Sequence, residues 1–477
     1  MIPYMRWIRA GLKAIGLTLV GCIVLALLLY LVIGIVNWND RKPSVLAEQL
    51  QQQYQARPPV ADAENGYVYV MGFTAGPEQD PVRAGIERVA WAREVVEITA
   101  RTIGIDKVPL PEDPIAAPAN AAPRDPLVEH FRGACQPGGQ GCAEAFTNGT
   151  EIYDRWIATE SQLLPRYSQL LARQAWLETA PIDLSTPLPG YARVMDGQRL
   201  ALLEARRLAM QRDYEGAQRL LESDLRFWRV VFESADTLIV KMIATVALVR
   251  HFELGNLILR DLDSQAAALV MPADWRMPIT ESERSMRRCM RGEWLFFASM
   301  AKSLDPFFSP ELAMERKSHA GRVTVAILGR PLYQSQDLIN RYADYYTRVG
   351  ELLDAPFEDY EEARSTASEL SARIQKSGWP PRSLYNILGS WVASQGMSDY
   401  ANYGARAADV EGVRRAAIAA VTLRAAKVDK ADVAEALRAS ELRNPYDGRP
   451  FEWSATDSAI RFRGLAEGER GLHLLYY

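Results

Sequence analysis

From Ala14 to Trp38 the chain runs 25 residues without a charged side chain. A helix rises about 1.5 Å per residue, so this run reaches roughly 37 Å and crosses a hydrocarbon core of about 30 Å with some tilt. The pattern therefore predicts a transmembrane helix over 14–38, preceded by a short tail over 1–13. Leu19-Val20-Gly21-Cys22, inside the run, has the form of a lipobox. Cleavage before Cys22 would leave a further apolar segment where a polar tether is expected. The cysteine would also lie near the bilayer midplane, away from a peptidase at the membrane face. An uncleaved anchor fits the length and flanks better.

Beyond the anchor the spacing of apolar residues changes several times. Residues 39–126 read as a juxtamembrane segment and a Pro-rich linker. A Gln-rich helix is expected first, then a β-prone stretch from Gly66 to Phe73, then a helix to about Arg101. Six prolines fall between residues 105 and 126, where they remove backbone donors and discourage helix. From 127 to 443 the helical period dominates. Helices are predicted at about 143–178, 194–212, 214–232, 234–260, 279–303, 335–353, 357–375, 382–398 and 405–442. Asn444-Pro445-Tyr446-Asp447-Gly448 has turn chemistry. Residues 444–477 are then expected to form a hairpin, with Leu472 to Tyr477 as a third strand. Asp213-Tyr-Glu-Gly-Ala217 and Asp359-Tyr-Glu-Glu-Ala363 both open a helix just after another ends, as in tetratricopeptide hairpins. The 146 residues between them do not match that repeat, so ordinary helical hairpins are the first reading and a degenerate solenoid the second.

Net charge is −4, or −7 once Arg6, Arg9 and Lys13 are set aside. A mildly acidic body without a basic run is not built for nucleic acid. The amino terminus, Arg6, Arg9 and Lys13 precede the apolar run, whereas only Arg41 and Lys42 follow closely. The positive-inside bias puts the N-terminus in the cytoplasm. Cys135 and Cys142 bracket a Gly-rich loop, and a disulfide between them is the simplest reading in an oxidising compartment. Zinc held by His130 with these two cysteines is the weaker alternative, because a fourth ligand is not evident. No metal or cofactor is expected.

Asn65-Gly66, Gly72-Phe73-Thr-Ala, Asp80-Pro81, the Cys135/Cys142 pair, Arg291-Gly292-Glu293, Gln334 with Asp337-Leu-Ile-Asn340, and Asn444-Pro445-Tyr446-Asp-Gly-Arg-Pro450 form an ordered set. The set resembles a family of bacterial membrane-anchored, mostly helical periplasmic proteins with no known activity. It covers most of the chain from about residue 43. The resemblance implies an inner-membrane protein with a periplasmic body, and carries no catalytic residues.

Four features invite a chemical reading. Ser299-Met-Ala-Lys302 is an S-x-x-K, and Lys376-Ser-Gly378 follows it. No Ser/Tyr-x-Asn lies between them, and Lys376 ends a helix rather than sitting on a strand. The histidines, His130, His251, His319 and His473, form no H-E-x-x-H, and His251 is expected to be exposed or capping. The run Glu358 to Glu362 is expected to be a solvated helix start. Glu293 is the most pointed case. It shares a helical stripe with Cys289, Phe296 and Met300, so a carboxylate interrupts an apolar face. It calls for Arg287, Arg288 or Arg291 beside it, or for a proton. A structural pair is the first reading and a pocket acid the second.

The expectation is thus a mainly α protein: one N-terminal transmembrane helix, a multi-helix domain and a small C-terminal β element. Its expected function is a non-enzymatic periplasmic scaffold that binds a protein partner in the envelope. The alternatives are an envelope enzyme acting on cell-wall or lipid material, with a pocket near Glu293 or Ser299, and a periplasmic folding or assembly helper.

Overall fold

The computed structural model describes residues 2–102, 109–115, 125–136, 141–305, 329, 331–376, 383–395 and 399–477. His319 and the Ser377-Gly378 pair lie outside them. The protein is mainly helical, with an apolar N-terminal helix and a three-stranded antiparallel sheet at the C-terminal end.

The apolar run forms α1 (Ile2–Val36), whose stretch from Gly11 to Val36 is long and apolar enough to cross a membrane; a signal sequence has the same composition. After a short connection, α2 (Val45–Gln55) starts on Ser44, whose hydroxyl accepts the N–H of Ala47. The stretch from Gly66 to Phe73 is not a strand. It is the short helix α3 (Gly66–Met71), started by the Asn65 side chain and buried throughout. Valine and tyrosine favour strands only where a pleated partner is available. Here the partner is α4 (Pro81–Thr102), which approaches so closely that a Cβ on Gly72 would lie 1.9 Å from the Pro81 oxygen. Glycine at that crossing permits two helices to touch backbone to backbone, which a strand could not reproduce.

The helix expected over 143–178 is broken into α6 (Cys142–Thr147), α7 (Gly149–Thr159) and α8 (Leu163–Leu171), after α5 (Pro126–Ala134). The breaks fall at Asn148 and at Glu160 to Gln162. The longest apolar periodicities then produce α9 (Tyr191–Met210), α10 (Tyr214–Ser234) and α11 (Leu238–Arg260). Asp213, at the turn between the first two, accepts the N–H of Gly216 at 2.9 Å. Two short helices, α12 (Ser264–Val270) and α13 (Glu281–Arg284), lead to α14 (Arg287–Ser303). This last helix packs along α15 (Ser335–Leu352), with the Phe297 and Tyr342 rings stacked at 3.6 Å. Then come α16 (Tyr360–Gln375), α17 (Ile387–Gln395), α18 (Ala401–Ala425) and α19 (Val433–Ala439). The helix expected over 405–442 is therefore two, parted at Lys427, whose φ of 54° is left-handed.

Alanine dominates the buried side of α18: Ala416, Ala417 and Ala420 are fully buried, which lets the helix lie close against α11. The strands β1 (Glu452–Ser454), β2 (Ala459–Arg463) and β3 (Leu472–Tyr476) pair in the order β1-β2-β3, with Ile460 opposite Leu475 and Phe462 opposite His473. The sheet is joined to the helices by Asn256, which donates to the Tyr476 oxygen at 3.0 Å. One hydrophobic core runs from Ala47 to Leu475 and takes in residues on both sides of the Pro-rich stretch.

Candidate functional site

The end of α1 is built into the body. Asn37 is 1% exposed. Its amide donates to the Ile33 oxygen at 2.9 Å and to the Leu384 oxygen at 2.7 Å, and its Oδ1 accepts the N–H of Asn386 at 2.7 Å. Gln334 donates to the Asn37 backbone oxygen at 3.0 Å. Asp40 accepts the N–H groups of Gln336 and Asp337 at the start of α15, and Asn340 exchanges hydrogen bonds with Lys42 and Ser44. The Gln334/Asp337/Asn340 spacing is thus the seat of residues 37–44. Each buried amide has a partner, so the seat is rigid.

Beside that seat, α2 forms one wall of a cleft of about 570 Å³. The opposite walls come from α10, α13, α14 and α15. Arg287, Arg288 and Arg291 line it from α14, and Glu233 and Glu351 bring the opposite charge. Each arginine is held by an acid behind the surface. Arg287 donates to Asp354 at 2.8 Å and Arg288 to Asp236 at 2.8 Å, while Arg291 lies 4.0 Å from Asp236. Arg57 also pairs with Asp236. Among the described residues Arg291 Nε and the Thr347 hydroxyl have no hydrogen-bond partner. The cleft is thus lined by three arginines, two glutamates and two leucines, Leu46 and Leu50. A guanidinium group can meet an acceptor-rich group through its forked N–H donors.

Asp236 belongs to a second arrangement, at the N-terminus of α11. Thr237 makes no side-chain cap of its own. Two carboxylates from other elements supply the missing acceptors. Glu178 accepts the N–H of Asp236 at 2.7 Å and of Thr237 at 3.1 Å, and also the Thr237 hydroxyl. Glu293 accepts the N–H of Leu238 at 3.4 Å and the Tyr400 hydroxyl at 3.4 Å. Burial pushes the Glu178 carboxyl up to about 7, with the neighbouring Asp236 charge adding to it. Burial likewise raises Glu293. The arginine partner expected for Glu293 is not formed: Arg287, Arg288 and Arg291 turn to Asp354 and Asp236. Its stripe mates divide, with Cys289 fully buried and Phe296 and Met300 half-buried. Neither Glu293 nor Ser299 is among the residues lining the cleft.

His251 is fully buried, not exposed or capping. Its Nδ1 lies 2.7 Å from Asp224, and its Nε2 accepts the Trp275 indole N–H at 2.8 Å. Accepting at Nε2 requires the proton on Nδ1, so the ring is neutral and donates to Asp224. Gln198 and Tyr167 also donate to Asp224, and Trp228 to the Tyr167 oxygen. An acid–histidine pair is present, but an indole occupies the nitrogen that a nucleophile would need. Sequence reasoning missed this network because its members lie on different helices. Lys241 is similarly enclosed: it donates to the Phe232 and Glu283 oxygens, and burial lowers it to about 8.

Of the remaining candidates, Ser299 donates its hydroxyl to Asp183, and Lys302 is exposed. Cys135 and Cys142 are joined as a disulfide, and His130 is exposed. Among the described residues no three His, Cys, Asp or Glu side chains gather as a metal site. Comparison with protein-family models, with curated proteins and with solved structures returns no match.

Proposed function

We propose that the protein is a single-pass inner-membrane scaffold whose helical body faces the periplasm and holds a protein partner in the cleft between α2, α14 and α15. The observation that carries this reading is the arginine row of α14, Arg287, Arg288 and Arg291, open to a cleft of about 570 Å³. Arginine and tyrosine, here Tyr346 beside the arginine row, are enriched at protein-recognition surfaces. The seat of residues 37–44 supports an anchor that remains continuous with the body. The Cys135–Cys142 bridge is compatible with an oxidising compartment.

Two measurements test the reading. A periplasm-active reporter fused after Lys42, and another after Tyr477, should both give signal; cytoplasmic signal from either sinks the location. A photo-crosslinking residue at Gln53, inside the cleft, should capture one discrete partner in cells that a crosslinker at exposed Met210 does not. Arg287→Glu, a change on a side chain 61% exposed, should lose that product. Equal capture from both positions removes the cleft from the function.

A further inference from the structure

The junction between α1 and the body also fixes what lies level with the membrane surface. A hydrocarbon core of about 30 Å takes roughly 20 helical residues. Counted from Ala14, these end at Ile33, so Gly34 to Trp38 fall in the headgroup layer. Leu384 is tied to that layer by a single side chain, since the Asn37 amide reaches the Ile33 and Leu384 oxygens together.

The chemistry of the tied segment matches the layer. Trp38 is 71% exposed, Leu384 41% and Trp391 46%. Tyr385, half-buried, has the Arg41 guanidinium 5.2 Å from its ring centre. From Ser383 to Gln395 no side chain is charged. A short surface helix bathed in water carries charge on its outer face, as α16 does with Glu361 and Glu362; α17 instead shows tryptophan. Tryptophan, tyrosine and arginine around an exposed leucine are the residues that settle at a membrane interface. Meanwhile α15 starts at the same junction and carries the chain about 27 Å away over its 18 residues. Its far end meets Met286 through Asp354, and Met277, in the segment that leads to Met286, is 57% exposed.

We propose that the surface formed by Trp38, Leu384 and Trp391 is a second membrane contact, seated in the interface of the bilayer that α1 crosses, so that the body lies against the lipid rather than swinging from a tether. This rests on the anchoring reading above. The lipid contact follows from continuity with α1, and a protein occupant of the same face is the competing outcome.

The test uses the full chain, with Cys22→Ser and the buried Cys289 retained, in vesicles of phosphatidylethanolamine and phosphatidylglycerol. An environment-sensitive fluorophore is placed in turn at Trp391→Cys, Leu384→Cys, Trp38→Cys and Met277→Cys, and quenched by lipids spin-labelled near the headgroup. Quenching at 384 and 391 is expected within about twofold of that at 38, and several-fold above that at 277. Quenching at 38 alone, with 384 and 391 matching 277, overturns the second contact and leaves the anchor standing. All four positions alike overturns the anchor and the contact together. Two probe sites on exposed side chains guard against one labelled variant that does not fold.

Discussion

Gly292 faces the backbone oxygen of Asp236 so closely that a Cβ added to the glycine would stand 1.8 Å from it. The residues on either side act on the same turn: Arg291 faces the Asp236 carboxylate, and Glu293 caps Leu238. Arg-Gly-Glu is therefore one device that fixes the start of α11 against α14. Gly292→Ala meets backbone rather than a movable side chain, so the helices must part. A loss of about 3 kcal/mol is expected in urea unfolding. A wild-type midpoint would show that the two helices separate freely.

For Glu293 the charge is dispensable and the acceptor is not. A glutamine oxygen can receive the Leu238 N–H while its NH2 donates to the Tyr400 oxygen, whose own proton can turn to Tyr346, and burial already disfavours the ionised form. Glu293→Gln should stay within about 0.5 kcal/mol of wild type, while Glu293→Ala should lose about 1 kcal/mol, the cost of a missing cap. Equal losses from the two variants would restore an ion pair as the explanation.

Glu178 makes stability depend on pH in a definite direction. Its folded value of about 7 lies above the ordinary 4.5, because burial and the Asp236 charge both oppose ionisation. Between those values the folded chain holds a proton that the unfolded chain has released. Stability therefore falls as pH rises from about 4.5 through about 7, and this contribution is flat above that. Asp305, which burial pushes up to about 6, adds the same sign. Urea midpoints across that range should decline for wild type and decline less for Glu178→Gln. An unchanged slope would mean that Arg57, Arg288 and Arg291 neutralise the site.

The Cys135–Cys142 bridge closes a short loop, with a sequence separation of 7. Constraining that loop in the unfolded chain is worth about 2 kcal/mol. Reductant, or Cys135→Ser with Cys142→Ser, should lower the melting temperature. With Cys22→Ser, and Cys289 fully buried, thiol labelling of the native protein reports the pair. Identical melting with and without reductant would reduce the bridge to a compartment marker.

The apolar helical run from Ala14, which ends at Val36, needed no tertiary information. Its length and lack of charge define it, because a helix satisfies its backbone hydrogen bonds within itself. The same holds for α9, α10 and α11, whose stripes repeat over five or more turns, and for the strands after Asn444, where turn residues bound short alternating runs. The Cys135–Cys142 pair was equally legible, since only a short loop separates its members.

Tertiary structure alone decided the rest. Gly66 to Gly72 became a helix because α4 offers a glycine-lined groove and no strand edge, a fact stored about ten residues away. His251 lies in the core because Asp224 and Trp275, on separate elements, take both of its nitrogens. Glu293 found backbone and tyrosine partners, while the arginines beside it in sequence went to Asp236 and Asp354. Helical period tells which side of a helix turns inward, and turn chemistry tells where it stops. Which acid meets which donor depends on how packed helices cross, and that is settled only when close-packing and the demand for satisfied buried polar groups act on the whole chain together.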